Sequence, residues 1–349
     1  MSNKSIPVRG YHGFKEGNIL THIITGTSGF VGYSIAKKLL TNGENVIGFD
    51  SLTNYYSTDL KRRRTEILQK FNNFKFFSKD INQLSLKDMP NLDIETMIHL
   101  AAQPGVRLKA WDYKNYIDNN LSGFLNICKI VESANIPVFL YASSSSVYGN
   151  NSRIPFSEAE INLQPESFYG YTKLLNEKIA NDYFKEINRT NHVALRFFTV
   201  YGEYGRPDML YFKVLANILS NEKLILFGDG SAQRDFTYID DVVDSIEILT
   251  KRSNLLIEKG LHQINIGGGK PVSMNQMIKK MEYYLKRKVI IDYADPNPKD
   301  MKVTKADYTI QEEILKFKPR IGIDEGLERF CRWANEIVSI DELKIWTKK

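Results

Sequence analysis

Over the first 200 residues, short apolar runs alternate with longer stretches in which apolar positions recur every three or four residues. The runs at 19–25, 45–50, 74–78, 96–100 and 138–142 have the length and composition of strands. Between and after them the period is that of amphipathic helices, at 33–42 (closed by Gly43), 60–70, 121–134 and 169–188. Strands separated by helices of this length predict an α/β fold, a parallel sheet with helices on both faces. After Arg196 the pattern loosens, and glycines and prolines gather at 202–207, 228–230 and 267–271. The predicted division is a polar N-terminal extension (1–18), a nucleotide-type domain (19–195) and a mainly substrate-binding lobe (196–349), with segments near 236–250 returning to the first domain.

Composition narrows the class. The 349 residues are 42% hydrophobic and 12% aromatic, enough for a large core and too rich for a disordered chain. The 47 basic and 41 acidic residues leave a mild net charge of +6. The densest basic cluster, Lys61-Arg62-Arg63-Arg64, reads as a solvated helix face, so no nucleic-acid partner is predicted, whereas an acidic small molecule would suit the balance. No apolar run approaches the roughly 20 residues of a membrane span, and the N-terminus lacks the apolar core of a signal peptide. Cys128 and Cys331 make neither a disulfide framework nor a zinc spacing, so no metal is expected and a cytoplasmic setting is.

Gly26, Gly29 and Gly32 stand in TGTSGFVG, directly after the first strand and at the opening of the first helix. There one glycine allows the tight turn, another the close approach of backbone to a pyrophosphate, and the third helix–strand packing. The helix N-terminus adds unpaired N–H groups and a partial positive charge. Asp50, 18 residues beyond Gly32 at the end of the second strand, suits a ribose 2′-hydroxyl and disfavours a 2′-phosphate. The expected cofactor is NAD, held on a Rossmann-like doubly wound parallel sheet with a smaller C-terminal α/β substrate lobe. As a bland alternative, Asp50 is a cap or turn residue.

Tyr169 and Lys173 lie one helical turn apart in YGYTK, on one face. A nearby ammonium stabilises a phenolate, which makes the tyrosine a candidate base. Ser143-Ser144-Ser145-Ser146 follows the strand at 138–142, where open α/β sheets present their ligands. A hydroxyl there could share a hydrogen bond with a substrate alcohol, although part of the run can equally be a serine-rich turn.

Together, TGTSGFVG, YASSSSVYG and YGYTK resemble the extended short-chain dehydrogenase/reductase family that works on nucleotide sugars, over about residues 19–335. HLAAQPGVR (99–107), LRFFTVYGEYGRPDM (195–209) and RDFTYIDD (234–241) resemble its UDP-glucuronate 4-epimerase branch of the bacterial capsule type. The resemblance implies an NAD-dependent C4 epimerisation of a UDP-sugar through a 4-keto intermediate, with UDP-glucuronate and UDP-galacturonate as the expected pair. It implies Tyr169 as base, Lys173 as its cationic partner and Ser144 as the assisting hydroxyl, with Ser145 or Ser146 as alternatives for that role. Ser28, Phe30 and Val31 would join the glycines in holding the cofactor, Asp80 and Ile81 would meet the adenine, and Leu100, Ala101 and Ala102 would run along the dinucleotide. On the substrate side it implies Arg107, Thr199, Arg234 and Asp300, with Phe227 stacking on the uracil unless it is a core residue. Arg206 would face the sugar carboxylate, or else be a loop arginine paired to Asp208.

Ser145 and Ser146 stand where related 4,6-dehydratases carry Asp-Glu and decarboxylating relatives a glutamate, which favours epimerisation. The chain departs from the family in Asn297-Pro298-Lys299-Asp300, where Arg-Pro-Gly-Asp is common. The alternatives are a UDP-N-acetylglucosamine or UDP-glucose 4-epimerase, a nucleotide-sugar dehydratase, and a non-catalytic NAD-binding sensor. The resemblance also implies a homodimer through the helices at 121–134 and 169–188, with Leu121, Phe124, Leu125 and Ile127 either at that interface or in the core.

Overall fold

The computed structural model describes residues 19–90, 92–106, 113–187, 189–296 and 300–347. The extension at 1–18 and Arg107 lie outside the described residues. Seven strands form one parallel sheet: β1 (Thr21–Thr25), β2 (Asn45–Asp50), β3 (Phe74–Ser78), β4 (Thr96–His99), β5 (Val138–Ser144), β6 (Asn191–Phe197) and β10 (Gln263–Ile266). Their order is β10-β6-β5-β4-β1-β2-β3. It reverses between β1 and β4, so the segments leaving these two strands diverge and open a crevice at their carboxyl ends. The register sets Thr25 level with His99 at the mouth of that crevice.

Alternation along β1 explains the two helical layers. Ile24 packs in the cluster that contains Ile35, Ala36 and Leu39 of the helix Phe30–Thr41. Ile23 points the other way, into the cluster of Phe124 and Ile127 from Gly123–Ser133 and Phe184 from Phe168–Lys185. Where the structure differs from the pattern-based boundaries, the reason is local. The first helix begins at Phe30 rather than 33, because Gly29 is its extended N-cap and Gly32 lies inside its first turn. β5 runs on through Ser143 and Ser144, which pair with Arg196 and Phe197 of β6 despite being polar. A π-helical segment, Ile117–Ser122, leads into Gly123–Ser133.

Beyond β6 the elements are short. β7 (Thr199–Tyr201), β9 (Gln233–Tyr238) and β11 (Pro271–Ser273) form a three-stranded sheet, and β8 (Lys223–Phe227) pairs with β12 (Ile290–Ala294). β10 and the helix Ile239–Arg252 rejoin the large sheet; Lys38 of the first helix donates to Asp244 at 3.0 Å.

The basic cluster is only half solvated. In the helix Thr58–Leu68, Lys61 and Arg64 share the buried face with Leu60, Thr65 and Leu68, while Arg62 and Arg63 face water. The i, i+4 stripe through 60/61, 64/65 and 68 overrides the tendency of a charge run to stay exposed. The residues expected at a dimer interface also divide. Phe124 and Ile127 are fully buried core, Leu121 is half-buried, and Leu125 is 38% exposed.

Candidate active site

The crevice between β1 and β4 is shaped by glycine. Gly26 has φ +77°, and a Cβ there would sit 2.7 Å from the Ala101 backbone nitrogen. This brings the glycine turn against the segment carrying Leu100, Ala101 and Ala102, all half-buried. Gly26 donates to the Phe49 carbonyl (2.7 Å) and Gly29 to the Gly26 carbonyl (2.9 Å), closing the turn. Asp50 accepts from the backbone of Ser28 (3.0 Å) and of Leu52 (2.8 Å), so it also serves as the turn anchor of the bland reading. The Ser28 hydroxyl pairs with Thr65 at 2.7 Å, Phe30 is core, and Val31 is half-buried against it. Asp80 caps the turn Ile81–Gln83 by accepting from Asn82 (2.8 Å), and Ile81 lies in the second core cluster.

Tyr169, Lys173 and the serine run meet at the next strand end. Ser167 caps the helix Phe168–Lys185 by accepting from Gly170 (3.1 Å), which places Tyr169 in its first turn. A Cβ on Gly170 would come within 2.7 Å of the Ser146 carbonyl, so glycine lets the helix close on the serine turn Ser145–Val147. The Ser144 hydroxyl accepts from the Ser146 amide at 3.1 Å and lies 3.2 Å from the Ser146 hydroxyl. Burial pushes the Tyr169 phenol up, while the Arg206 guanidinium and the Ser144 hydroxyl pull the other way. Lys173 is 2% exposed, and its ammonium lies 5.9 Å from the Tyr169 ring centre. Burial brings its pKa down to about 8. No carboxylate among the described residues forms an ion pair with it.

Several supporting residues escaped the sequence analysis. Glu177, one turn beyond Lys173, takes two hydrogen bonds from Arg196 (2.9 and 2.7 Å) and one from Ser143 (2.5 Å). Arg196 also donates to Tyr148 (3.0 Å), whose hydroxyl donates to Asn265 (2.7 Å). This buried network locks the helix bearing Tyr169 and Lys173 to β5, β6 and β10. His99 Nδ1 lies 2.6 Å from the Thr25 hydroxyl; burial, with Lys173 nearby, brings its pKa down to about 3, so the ring stays neutral.

On the open side, the Arg206 guanidinium lies over the Tyr55 ring, 5.9 Å from its centre. Asp208 accepts from its Nε (3.0 Å) and Nη2 (2.6 Å). The paired-loop alternative is therefore present, but it occupies one edge of the fork. Among the described residues no partner bonds Nη1, and the Nη1/Nη2 edge is left open. Burial opposes charge on the guanidinium, but Asp208 holds it firmly protonated. Tyr55 donates to Asp208 at 3.3 Å, its phenol pushed up to about 12 by burial and by that carboxylate. Thr199 is half-buried on β7. Phe227, 47% exposed at the end of β8, is not a core residue. Arg234 is on β9, where its Nη1 donates to the Gln233 carbonyl (2.8 Å). Pairing of Phe227 with Ala294 and of Gln233 with Val303 brings the stretches carrying Phe227, Arg234 and Asp300 side by side in the smaller lobe.

The NAD dependent epimerase/dehydratase family matches residues 22–267, well over half of the chain. The chain belongs to that family. A probable UDP-glucuronate 4-epimerase of Rhizobium meliloti is 35% identical, over 91% of this chain and 97% of its own length. An uncharacterised protein of Methanocaldococcus jannaschii is 40% identical, over 90% and 96%. Among solved structures, a tyrosine-to-phenylalanine variant of the UDP-glucuronic acid 4-epimerase from Bacillus cereus, in complex with UDP-4-deoxy-4-fluoro-glucuronic acid and NAD, matches with a TM-score of 0.83. It is 30% identical and covers 93% of this chain and 99% of that one.

A member of the NAD dependent epimerase/dehydratase family needs a dinucleotide cradle, and the residues present fit one. The Gly26 turn leaves a groove that a Cβ would fill, and the helix beginning at Phe30 points its first amides into it. Asp50 closes the end of β2, and the Lys173 ammonium is buried without a counter-ion among the described residues, as suits hydrogen bonding to ribose hydroxyls.

Proposed function

We propose that this member of the family is a UDP-sugar 4-epimerase that interconverts UDP-glucuronate and UDP-galacturonate while retaining its NAD. The observation that carries the reading is the open guanidinium edge of Arg206, whose charge is felt at the Tyr169 phenol. A fork with a free edge, aimed from behind by Asp208, is suited to a planar carboxylate. The glucuronate 4-epimerases among its relatives and structural neighbours support the same choice.

Bound NAD supplies the acceptor and donor of the C4 hydride. Gly26, Ser28, Gly29, Phe30, Val31 and Gly32 would hold its pyrophosphate, Asp50 and Lys173 its ribose hydroxyls, and Asp80, Ile81 and Leu100–Ala102 its flanks. Tyr169 takes the 4-hydroxyl proton as the sugar becomes a 4-keto sugar and returns it after the sugar has turned its other face. Arg206 and the Ser144 hydroxyl favour the phenolate this requires, against the burial that opposes it. Ser144 shares the hydrogen bond of the reacting hydroxyl, and Ser145, Ser146 and Thr199 line the sugar. A 4-keto uronate is a β-keto acid, and holding its carboxylate in the ketone plane through Arg206 disfavours loss of CO2. Ser145 and Ser146 offer no carboxyl group for dehydration. Phe227, Arg234, Asp300 and Arg107 would serve the UDP moiety.

The active form would be a homodimer. Ile117 and Leu125 on one helical segment, and Tyr171 and Leu175 on the next, are 38–50% exposed on neighbouring surfaces. That apolar set is suited to a four-helix interface. We place the reaction in the cytosol, consistent with two free, buried cysteines. Initial rates with UDP-glucuronate, UDP-glucose and UDP-N-acetylglucosamine test the substrate assignment. A preference for the uronate that disappears in Arg206→Met supports it, and a neutral sugar turned over faster by the unsubstituted enzyme refutes it.

A further inference from the structure

Arg64 is fully buried, at the junction of the glycine loop and the loop that carries Arg206. All five of its N–H groups are engaged. Nε and Nη2 donate to the Tyr204 carbonyl (3.0 and 2.6 Å), and Nη2 also donates to the Gly205 carbonyl (3.0 Å). Nη1 donates to the Ser28 carbonyl (2.8 Å) and to the Tyr56 hydroxyl (2.7 Å). Every acceptor is neutral, and among the described residues no carboxylate pairs with it.

A buried charge is a poor device for stability alone, since an apolar side chain of similar volume often serves as well. What the guanidinium provides here is a rigid planar fork that spans two loops from different parts of the fold. One of them needs holding. Tyr204 has φ +54°, a left-handed backbone that a tyrosine disfavours, and its ring is wedged against Tyr33 (5.4 Å) and Trp333 (4.9 Å). In that conformation the Tyr204 carbonyl receives two bonds from Arg64, two residues before Arg206.

We propose that Arg64 is a positioning residue for the sugar site: by bonding Ser28 and Tyr204–Gly205 together, it sets the aim of Arg206 relative to the cofactor loop. The assignment rests on reading Arg206 as the carboxylate clamp. Arg64 acts through the loop backbone, touching neither sugar nor cofactor.

The test uses the NAD-bound enzyme and the variants Arg64→Met and Arg64→Lys. Amide hydrogen exchange at 203–209 is expected to quicken about tenfold or more in Arg64→Met, and less in Arg64→Lys, which keeps the charge but loses the fork. Affinity for UDP-glucuronate should fall roughly fivefold or more, while affinity for UDP and bound NAD content stay within about twofold. Wild-type exchange at 203–209, or equal losses for UDP and UDP-glucuronate, would overturn the proposal. If Arg64→Met does not fold, Arg64→Lys carries the same comparison. Arg206→Met tests the clamp separately: unchanged UDP-glucuronate affinity there refutes the clamp, while the exchange rates still decide whether Arg64 holds the loop.

Discussion

Lys173 is costly to the empty fold, and the cost can be measured. Its ammonium is 2% exposed, has no carboxylate partner among the described residues, and titrates at about 8 instead of its ordinary 10.5. At 1.36 kcal/mol per pH unit, that gap corresponds to roughly 3 kcal/mol of destabilisation when the group is charged in both states. Between pH 8 and 10.5 the folded chain has released the proton while the unfolded chain still holds it, so stability rises with pH. Lys173→Met, which keeps an unbranched side chain, should make NAD-free protein about 3 kcal/mol more stable at pH 7, and about half that near pH 9.5. Urea unfolding of the nucleotide-free variant and its parent at the two pH values gives the difference, with all other titrating groups cancelling. The same substitution should remove nearly all turnover. A variant no more stable than its parent at pH 7, or a difference that does not shrink with pH, would refute the buried, unpaired ammonium.

Arg206→Met should raise KM for UDP-glucuronate roughly tenfold or more, with little change for UDP as a competitive inhibitor, because a charge-assisted pair is lost. Burial raises the Glu158 pKa to about 7, so its contribution to stability falls as pH rises from 4.5 through 7. Glu158→Gln should therefore be more stable than its parent by up to about 3 kcal/mol at pH 8 and equal to it near pH 4, as read by thermal unfolding. Arg196→Met strands the Glu177 carboxylate and should cost about 3–5 kcal/mol; adding Glu177→Gln should recover part of that in denaturant titrations. If the exposed apolar strip is the proposed dimer interface, Leu125→Glu should shift the mass seen by light scattering from dimer to monomer without unfolding the chain.

The first five strands of the parallel sheet and the crevice were legible in the sequence because each rests on local pattern: alternating apolar runs, and glycines between a strand and a helix; β6 and β10, which complete the sheet, were not read as strands. The smaller lobe was not. Its strands are three to six residues long, and β8 and β12 pair across more than 60 residues, β8 with alternate positions open to water and β12 with none buried. No local signal specifies such pairing. Tyr169, Lys173 and the serines were visible as motifs, whereas their supports Glu177, Arg196 and His99 are single polar residues meaningful only once β5, β6 and the long helix are packed. Arg64 had a usable signal. It shares a helical stripe with Leu60 and Leu68, and the helical period, weighed before the charge count, places it inside. For Arg206 the loop pairing is what the fold displays: Asp208 takes one edge of the guanidinium and leaves the other open.

In the proposed function, C4 of a UDP-uronate is oxidised and reduced again within one closed site served by Tyr169. The most direct test is to incubate purified enzyme, without added NAD, with UDP-glucuronate carrying deuterium at C4, and to follow the sugar ring by NMR. UDP-galacturonate should form with deuterium still at C4, and about 10²–10⁴-fold more slowly with Tyr169→Phe carrying its NAD intact. Product whose C4 deuterium has been replaced by solvent hydrogen, or no product from UDP-glucuronate at all, would contradict the proposed function.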